Sequence, residues 1–491
     1  MKNRTAVRIN LMPTGVPGLD DVLGGGIPEF SFNLIAGEPG AGKTTLAQQI
    51  VFANATLDKP ALYFTVLGEP PLKMLRYQQQ YTFFDAENLS DRLRFVNLTD
   101  ELLQNGLEGV LERIIAEVDL HNPSIVVVDS FRTLVRSVRG GDATEGDLQS
   151  FVQRLAIHLT SWQVTSFLIG EYSQDEGESS PIFTIADGIL WLAQEVDRNS
   201  VVRKLHIVKV RGSETMPGLH TFRITSDGVR VFPRIPMRIQ DDDRILPKAR
   251  VSMGVLDLDE MMGGGIPAGD SVLVVGPSGS GKTVLATQFI AAGVAAGEPG
   301  VLIVFEEHPT EYLFRADALG FKLGEMMSNG MLEAIYLRPL DLSPDETLHE
   351  IREAAARVGA RRVVIDSMSG FELALAPTFR QDFRESLYRL IGSLTGAGIT
   401  VLTTMELAQS DSEFRFTPNV VSFLADDIIL LRYVEFERAL RRVLTVGKMR
   451  GSQHSKLFRE YEITDHGLEL RDGLDGYSGR ISGAPQLTPT N

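Results

Sequence analysis

Two stretches of this chain, GEPGAGKT at residues 37–44 and GPSGSGKT at residues 276–283, carry a spacing suited to holding phosphate. In each, glycines let backbone amides turn inward around phosphate oxygens, a lysine reaches the outer phosphates, and a threonine hydroxyl can ligate Mg²⁺. The first cradle is Gly37, Glu38, Pro39, Gly40, Ala41 and Gly42, followed by Lys43, Thr44 and Thr45. The second is Gly276, Pro277, Ser278, Gly279, Ser280 and Gly281, followed by Lys282, Thr283 and Val284. A glycine-rich turn that happens to precede Lys-Thr is the competing reading. Each copy, however, directly follows an apolar strand and directly precedes a helical run (TTLAQQIVFA, TVLATQFIAAG), so the helix would point its positive end at the anion. The expected ligands are a nucleoside triphosphate, ATP, and Mg²⁺.

Asp129 and Asp366 each end an apolar strand downstream of a loop, where a carboxylate can hold the water shell of the metal beside Thr44 or Thr283. An aspartate that only caps the next turn is the alternative. Phosphoryl chemistry also needs a group that orients or deprotonates the attacking oxygen. Glu306 and Glu307, in VLIVFEEHP, are candidates at the carboxyl end of the strand after the second loop helix. The equivalent first-half residues are Leu67 and Gly68, with Glu69 one position further on, so the first site is expected to be a slower hydrolase or chiefly a binding site. Solvated strand ends are the plainer account of these acids. Lys209 with Arg211, and Lys448 with Arg450, alternate before Gly-Ser turns and so point to one face. Each pair is a candidate cationic finger inserted from a neighbouring subunit, or else an ordinary charged strand face.

The elements that position these groups repeat. GVPGLDDVLGGGIPEF (15–30) matches GVLDLDEMMGGGIPAG (254–269) at nine of sixteen positions with an offset of 239, which also superposes the two loops and KVRGS on KMRGS. Short β-branched runs such as FNLIAG and SVLVVG alternate with helical patterns such as GLEGVLERIIAEVDL and DETLHEIREAAARVG. Continuous apolar strands separated by helices predict an α/β fold, each repeat a mostly parallel sheet with helices on both faces. The expected boundaries are residues 1–233 for the first domain, 234–250 for a linker, 251–472 for the second domain and 473–491 for a flexible, Gly/Ser/Pro-rich tail.

Composition narrows the class. The 491 residues carry a net charge of -16, divided as -5 through Gln240 and -11 beyond it, which disfavours nucleic acid and anionic lipid as partners. With no cysteine, disulfides, thiolate zinc sites and cysteine nucleophiles are excluded. The N-terminal MKNRTAVRINLMPTG lacks the apolar core of a signal peptide and the longest apolar runs are strand-length, so a cytoplasmic protein with no membrane span is expected. Glycine is in surplus at 46 residues, and the phosphate loops and GGGIP segments absorb 12 of them.

Together the GKT loops, the paired GGGIP segments, FEE, the VDS and IDS strands and the two KxRG turns resemble the circadian clock protein KaiC family, within the RecA-like ATPase superfamily. The resemblance spans nearly the whole chain, through DDIILLRYVEF, KMRGSQH and RISGAP. It implies two tandem RecA-like P-loop NTPase domains in a two-tiered homo-hexamer, with ATP between neighbouring subunits. Lys209, Arg211, Lys448, Arg450 and Arg442 would reach the neighbour's phosphates. The family's first domain is an ATPase, and its second transfers phosphate to its own Ser and Thr. The phosphoacceptor pair falls on Ser422 and Phe423, so only the serine can accept, and Thr417 matches a further threonine of that region. Self-association and a KaiB-like or other signalling partner are implied, the C-terminal tail and the first-domain ring being the family's docking surfaces for KaiA and KaiB. The lost threonine and the absent first-half FEE mark a divergent member whose role need not be timekeeping. The reading is a KaiC-like hexameric ATPase and serine/threonine autokinase, with Glu306 or Glu307 activating Ser422. The alternatives are a DNA-dependent recombination or helicase motor, or a nucleotide-assembled non-catalytic scaffold.

Overall fold

A computed structural model describes residues 9–66, 71–85, 89–131, 134, 145–173, 181–197, 200–234, 249–337, 342–380, 383–406, 425–436, 439–473, 477–478 and 486–487. The chain divides into two compact units, Met1–Arg234 and Ile235–Asn491.

In the first unit the strand Phe32–Gly37 is buried at every position, as its unbroken apolar run requires. It pairs in parallel with Thr165–Glu171 on one side and Gly188–Asp197 on the other. Its side chains alternate between two cores. Phe32, Leu34 and Ala36 pack with Val110, Leu111 and Ile114 of the helix Thr99–His121 and with Leu148, Val152 and Leu155 of the helix Glu145–Ser161. Ile35 faces the opposite way, against Leu46, Ala47, Ile50 and Val51 of the helix Lys43–Asn54 that follows the glycine loop. Each such aliphatic side chain contributes about 1.5–3 kcal/mol by leaving water, so the loop is anchored between a doubly buried strand and a buried helix.

Among the described residues this sheet has nine strands, in the order Gly228–Phe232, Leu219–Thr225, Ser200–Val210, Gly188–Asp197, Phe32–Gly37, Thr165–Glu171, Ile125–Asp129, Ala61–Thr65, Leu93–Asn97. The last six run parallel and the first three are antiparallel additions. The second unit repeats this order around Ser271–Gly276, which lies between Thr400–Glu406 and Asp427–Phe436. Even the irregularity repeats: the register slips between Ile189 and Leu190 in one unit and between Ile428 and Ile429 in the other.

Local chemistry explains the element ends. The helix Pro344–Val358 begins where Ser343 Oγ accepts from the Glu346 amide at 3.1 Å, with proline at the first position and Asp345 and Glu346 in the first turn. It stops at Gly359, in the left-handed region. The GGGIP segments have a packing role. Ile27–Pro28 pairs with Leu11–Met12, and a Cβ on Gly26 would lie 2.5 Å from the Met12 carbonyl oxygen. Gly265 stands in the same relation to Val251, at 2.4 Å. Within the span expected to be a flexible tail, Tyr477–Ser478 pairs with Gln486–Leu487 as a short antiparallel ladder.

Candidate nucleotide sites

Both glycine loops leave the carboxyl end of a central strand and enter a helix capped by a left-handed glycine, Gly42 or Gly281. Positive φ at Gly37, Gly40 and Gly42 turns the loop, and a Cβ on Gly37 would sit 1.9 Å from the Leu192 carbonyl oxygen. Lys43 Nζ donates to the carbonyls of Gly37 (3.0 Å) and Glu38 (2.7 Å). Lys282 Nζ does the same to Gly276 and Pro277, both at 2.9 Å. Burial holds both ammonium groups below their ordinary pKa, and surrounding carboxylates pull them back up.

The two Asp-Thr pairs expected from the sequence meet. Thr44 Oγ1 donates to Asp129 Oδ2 at 2.9 Å, and Thr283 hydrogen bonds to Asp366. The peptide bonds after both aspartates are cis. Burial pushes both carboxyl groups above the usual aspartate range, and hydrogen bonding offsets part of the shift. The supporting donors differ. Tyr63 OH donates to Asp129 at 2.8 Å, whereas Asp366 receives Thr404 Oγ1 at 2.5 Å. Among the described residues no group of three or more His, Cys, Asp or Glu could hold a metal by itself. A threonine hydroxyl with a nearby carboxylate instead fits Mg²⁺, which keeps waters and takes its remaining ligands from phosphates.

The second site opens into a cavity of about 380 Å³ lined by Lys282, Thr283, Glu306, Tyr312, Asp366, Ser367 and Glu406 among others. That is a volume suited to a small ligand. Glu306 and Glu307 part ways here. Glu306 lines the cavity and accepts from Ser367 Oγ at 2.8 Å. Glu307 is ion-paired with Arg315, and burial raises its pKa against that pairing. Glu69, with Leu67 and Gly68, lies outside the described residues, as do Thr417, Ser422 and Phe423.

The cationic residues separate into two groups. Lys209 Nζ donates to the Phe183 carbonyl at 2.7 Å and Arg211 pairs with Asp187 at 3.0 Å. Lys448 Nζ donates to the Ala425 carbonyl at 2.6 Å and Arg450 pairs with Asp426 at 3.4 Å. Lys209 stands opposite Ile189, which aligns with Leu34, three rows before the strand ends at Gly37. With about 3.3 Å per row, its backbone lies about 10 Å short of that strand end, and its ammonium is held by the Phe183 carbonyl. Arg442 behaves otherwise. It pairs in register with Tyr433, stacks over that ring at 5.8 Å, and the Tyr433 hydroxyl lies 3.5 Å from the Ser278 carbonyl of its own loop.

Two acids escaped the sequence reading. Glu171 and Glu406 close the strands beside the two loop strands, in register with Gly37 and Gly276. The only trace was that TSFLIGE and TVLTTME both end in glutamate.

Two glycine loops of this form, each with a Thr-Asp pair at the carboxyl edge of a mostly parallel sheet, define a tandem P-loop nucleoside triphosphatase. The family model described as "ATPase: KaiC" matches residues 12–235 and 251–474, and the chain belongs to this family of ATPases. It is similar to the "Circadian clock oscillator protein KaiC" of Picosynechococcus sp., 29% identical over 497 residues covering 98% of this chain and 94% of the relative. The protein of the same name from Prochlorococcus marinus is 28% identical over 487 residues, 98% of this chain and 96% of the relative. The "Circadian clock oscillator protein KaiC 1" of Synechocystis sp. is 29% identical over 485 residues, 96% and 91% respectively. Among the described residues no helix is long and apolar enough to cross a membrane.

Proposed function

We propose that the chain is an ATP-hydrolysing oligomer whose second unit also phosphorylates its own serine or threonine. The observation that carries the ATP part is the twofold recurrence of one arrangement: a P-loop lysine on two loop carbonyls beside a threonine-aspartate pair. Loop amides and the lysine hold the phosphates. Thr44 with Asp129, and Thr283 with Asp366, would hold Mg²⁺, which when bound offsets charge on the transferring phosphoryl group. In the second unit Glu306 orients the attacking oxygen, either water for hydrolysis or the hydroxyl of Ser422 or Thr417 for self-phosphorylation, and accepts its proton as the bond from the γ-phosphorus to the leaving ADP oxygen breaks. Glu69 is the residue proposed for the first unit.

The placement of Lys209 and Lys448 three rows short of the ends of their own loop strands, each with its ammonium on a carbonyl outside the loop, supports their action, with Arg211 and Arg450, on a neighbour's nucleotide in a homo-hexamer. The stacking of Arg442 over Tyr433, whose hydroxyl meets the Ser278 carbonyl, supports a role at its own loop, in place of the neighbour's. A clock-like role rests on the names of the relatives, and a KaiB-like or other signalling partner on the family resemblance of the sequence. Native mass spectrometry with ATP and with ADP, followed by phosphopeptide mapping of the same sample, tests this reading. Six-chain assemblies with phosphate on Ser422 or Thr417 are expected; monomers under both conditions would refute the ring, and absence of phosphate at both residues would refute the kinase.

A further inference from the structure

Glu171 and Glu406 occupy one position in the two repeats, and the sequence motifs assign them nothing. Each ends a strand that lies hydrogen-bonded to the loop strand, opposite the residue where the glycine loop departs: Gly37 pairs with Glu171 and Gly276 with Glu406. The carboxyl edge of a parallel sheet is where ligands meet the fold, and Glu406 lines the second cavity together with Lys282. The charge of each glutamate acts on the lysine of its own loop, Glu171 on Lys43 and Glu406 on Lys282. Neither glutamate is part of the Thr-Asp metal pairs, and their placement is common to both repeats although the FEE pair is not.

A carboxylate lining the same cavity as the lysine that meets the outer phosphates, as Glu406 does, faces a choice of partners. Before nucleotide enters, the ammonium group is its natural counter-charge. Once a triphosphate is bound, the outermost phosphate takes the lysine and places its own negative charge before the glutamate. Coulomb repulsion falls with distance, so the acid weighs on the γ-phosphate more than on the inner two, which the loop amides hold. We propose that Glu171 and Glu406 set the discrimination between nucleoside triphosphate and diphosphate at the two sites, each disfavouring the γ-phosphate relative to its absence. The glutamates thereby promote exchange toward the diphosphate-bound or empty loop after turnover. This rests on the proposal that the loops bind ATP.

Isothermal titration of the full chain with ATPγS and with ADP, in the presence of Mg²⁺, provides the test. A Lys43→Ala background leaves the second site as the only reporter. Glu406→Gln is expected to tighten ATPγS binding by roughly three- to tenfold and ADP binding by less than about twofold, as loss of one nearby charge would. Glu406→Asp should return the ratio of the two affinities to that of the parent. An unchanged ratio, or equal factors on both ligands, would overturn the inference, because a merely structural role moves both together. If Glu406→Gln does not fold, Glu171→Gln in a Lys282→Ala background is expected to show the same shift at the first site; failure of both to fold would assign the glutamates to the fold and contradict the proposal. A parent chain that binds neither nucleotide would instead overturn the ATP reading beneath it.

Discussion

Ser367 Oγ donates to Glu306 Oε1 at 2.8 Å, joining the residue after Asp366 to the acid beyond the neighbouring strand end, where Val304 pairs with Asp366. The same serine caps the helix Met368–Ala374 by accepting from the Gly370 amide at 3.1 Å. A helix start thus fixes the acid that faces the second cavity, while Glu307 is drawn off to Arg315.

Glu306→Gln in a Lys43→Ala chain is therefore expected to lower ATP turnover by about 10²–10³-fold, with nucleotide affinity changed by less than about threefold. Glu307→Gln should lose less than about tenfold, since its partner is Arg315 rather than the reacting oxygen. Steady-state hydrolysis with parallel titration of binding checks both, and a larger loss for Glu307→Gln would reverse the assignment.

Gly37→Ala would force a methyl group to 1.9 Å from the Leu192 carbonyl oxygen, at φ 145°. We expect loss of nucleotide from the first site only and a destabilisation of at least about 2 kcal/mol, in the range of strained backbone substitutions. Chemical denaturation and binding stoichiometry measure the two effects separately.

Asp427 is fully buried, and the Arg450 amide and the charge of Arg250 favour its ionised form only in part. Burial first, then the charges of Asp270 and Asp426, push its carboxyl group up to about 7. In the unfolded chain an aspartate titrates near about 3.9. The folded protein binds this proton more tightly, so the associated stability is whole below the unfolded value and is lost as pH rises through the folded one. Asp427→Asn should accordingly raise Tm above that of the parent at about pH 8 and give no gain at about pH 4. A gain of equal size at both would contradict the titration.

Arg211→Ala and Lys43→Ala chains, each also carrying Lys282→Ala to silence the second site, test action across a subunit boundary. Each alone should hydrolyse ATP at less than about a tenth of the parent first-site rate. Mixed assemblies should recover activity, because an intact loop then meets an intact arginine. Failure to recover in verified mixed rings would place Arg211 at its own site.

The loops, their order along the chain and the doubly covered sheets were legible because each depends on local signals: glycines at fixed spacing, apolar runs of strand length, and helical periodicity between them. Side-chain destinations were not. Glu306 and Glu307 are adjacent in sequence, and only the placement of Ser367 and Arg315 separates them. Lys448 and Arg442 share the strand Ala439–Met449, yet its register sets one opposite Ile428 and the other opposite Tyr433, too far apart for one role. Tyr63 meets Asp129 across 66 residues of sequence, and Glu406 reaches the loop only through parallel pairing with Gly276. Asp427 shows the same limit. Its equivalent in the first repeat is Gly188, and the polar residue at that level is Asn33, which finds acceptors in Ser31 and Ser166.

The central claim, that both glycine loops hold nucleotide, is tested most directly by counting ATPγS bound per chain at saturation in Mg²⁺. Two per chain are expected for the parent, one for Lys43→Ala, one for Lys282→Ala and none for the double variant. A count that stays the same when either lysine is removed, or a parent that binds none, would contradict the account.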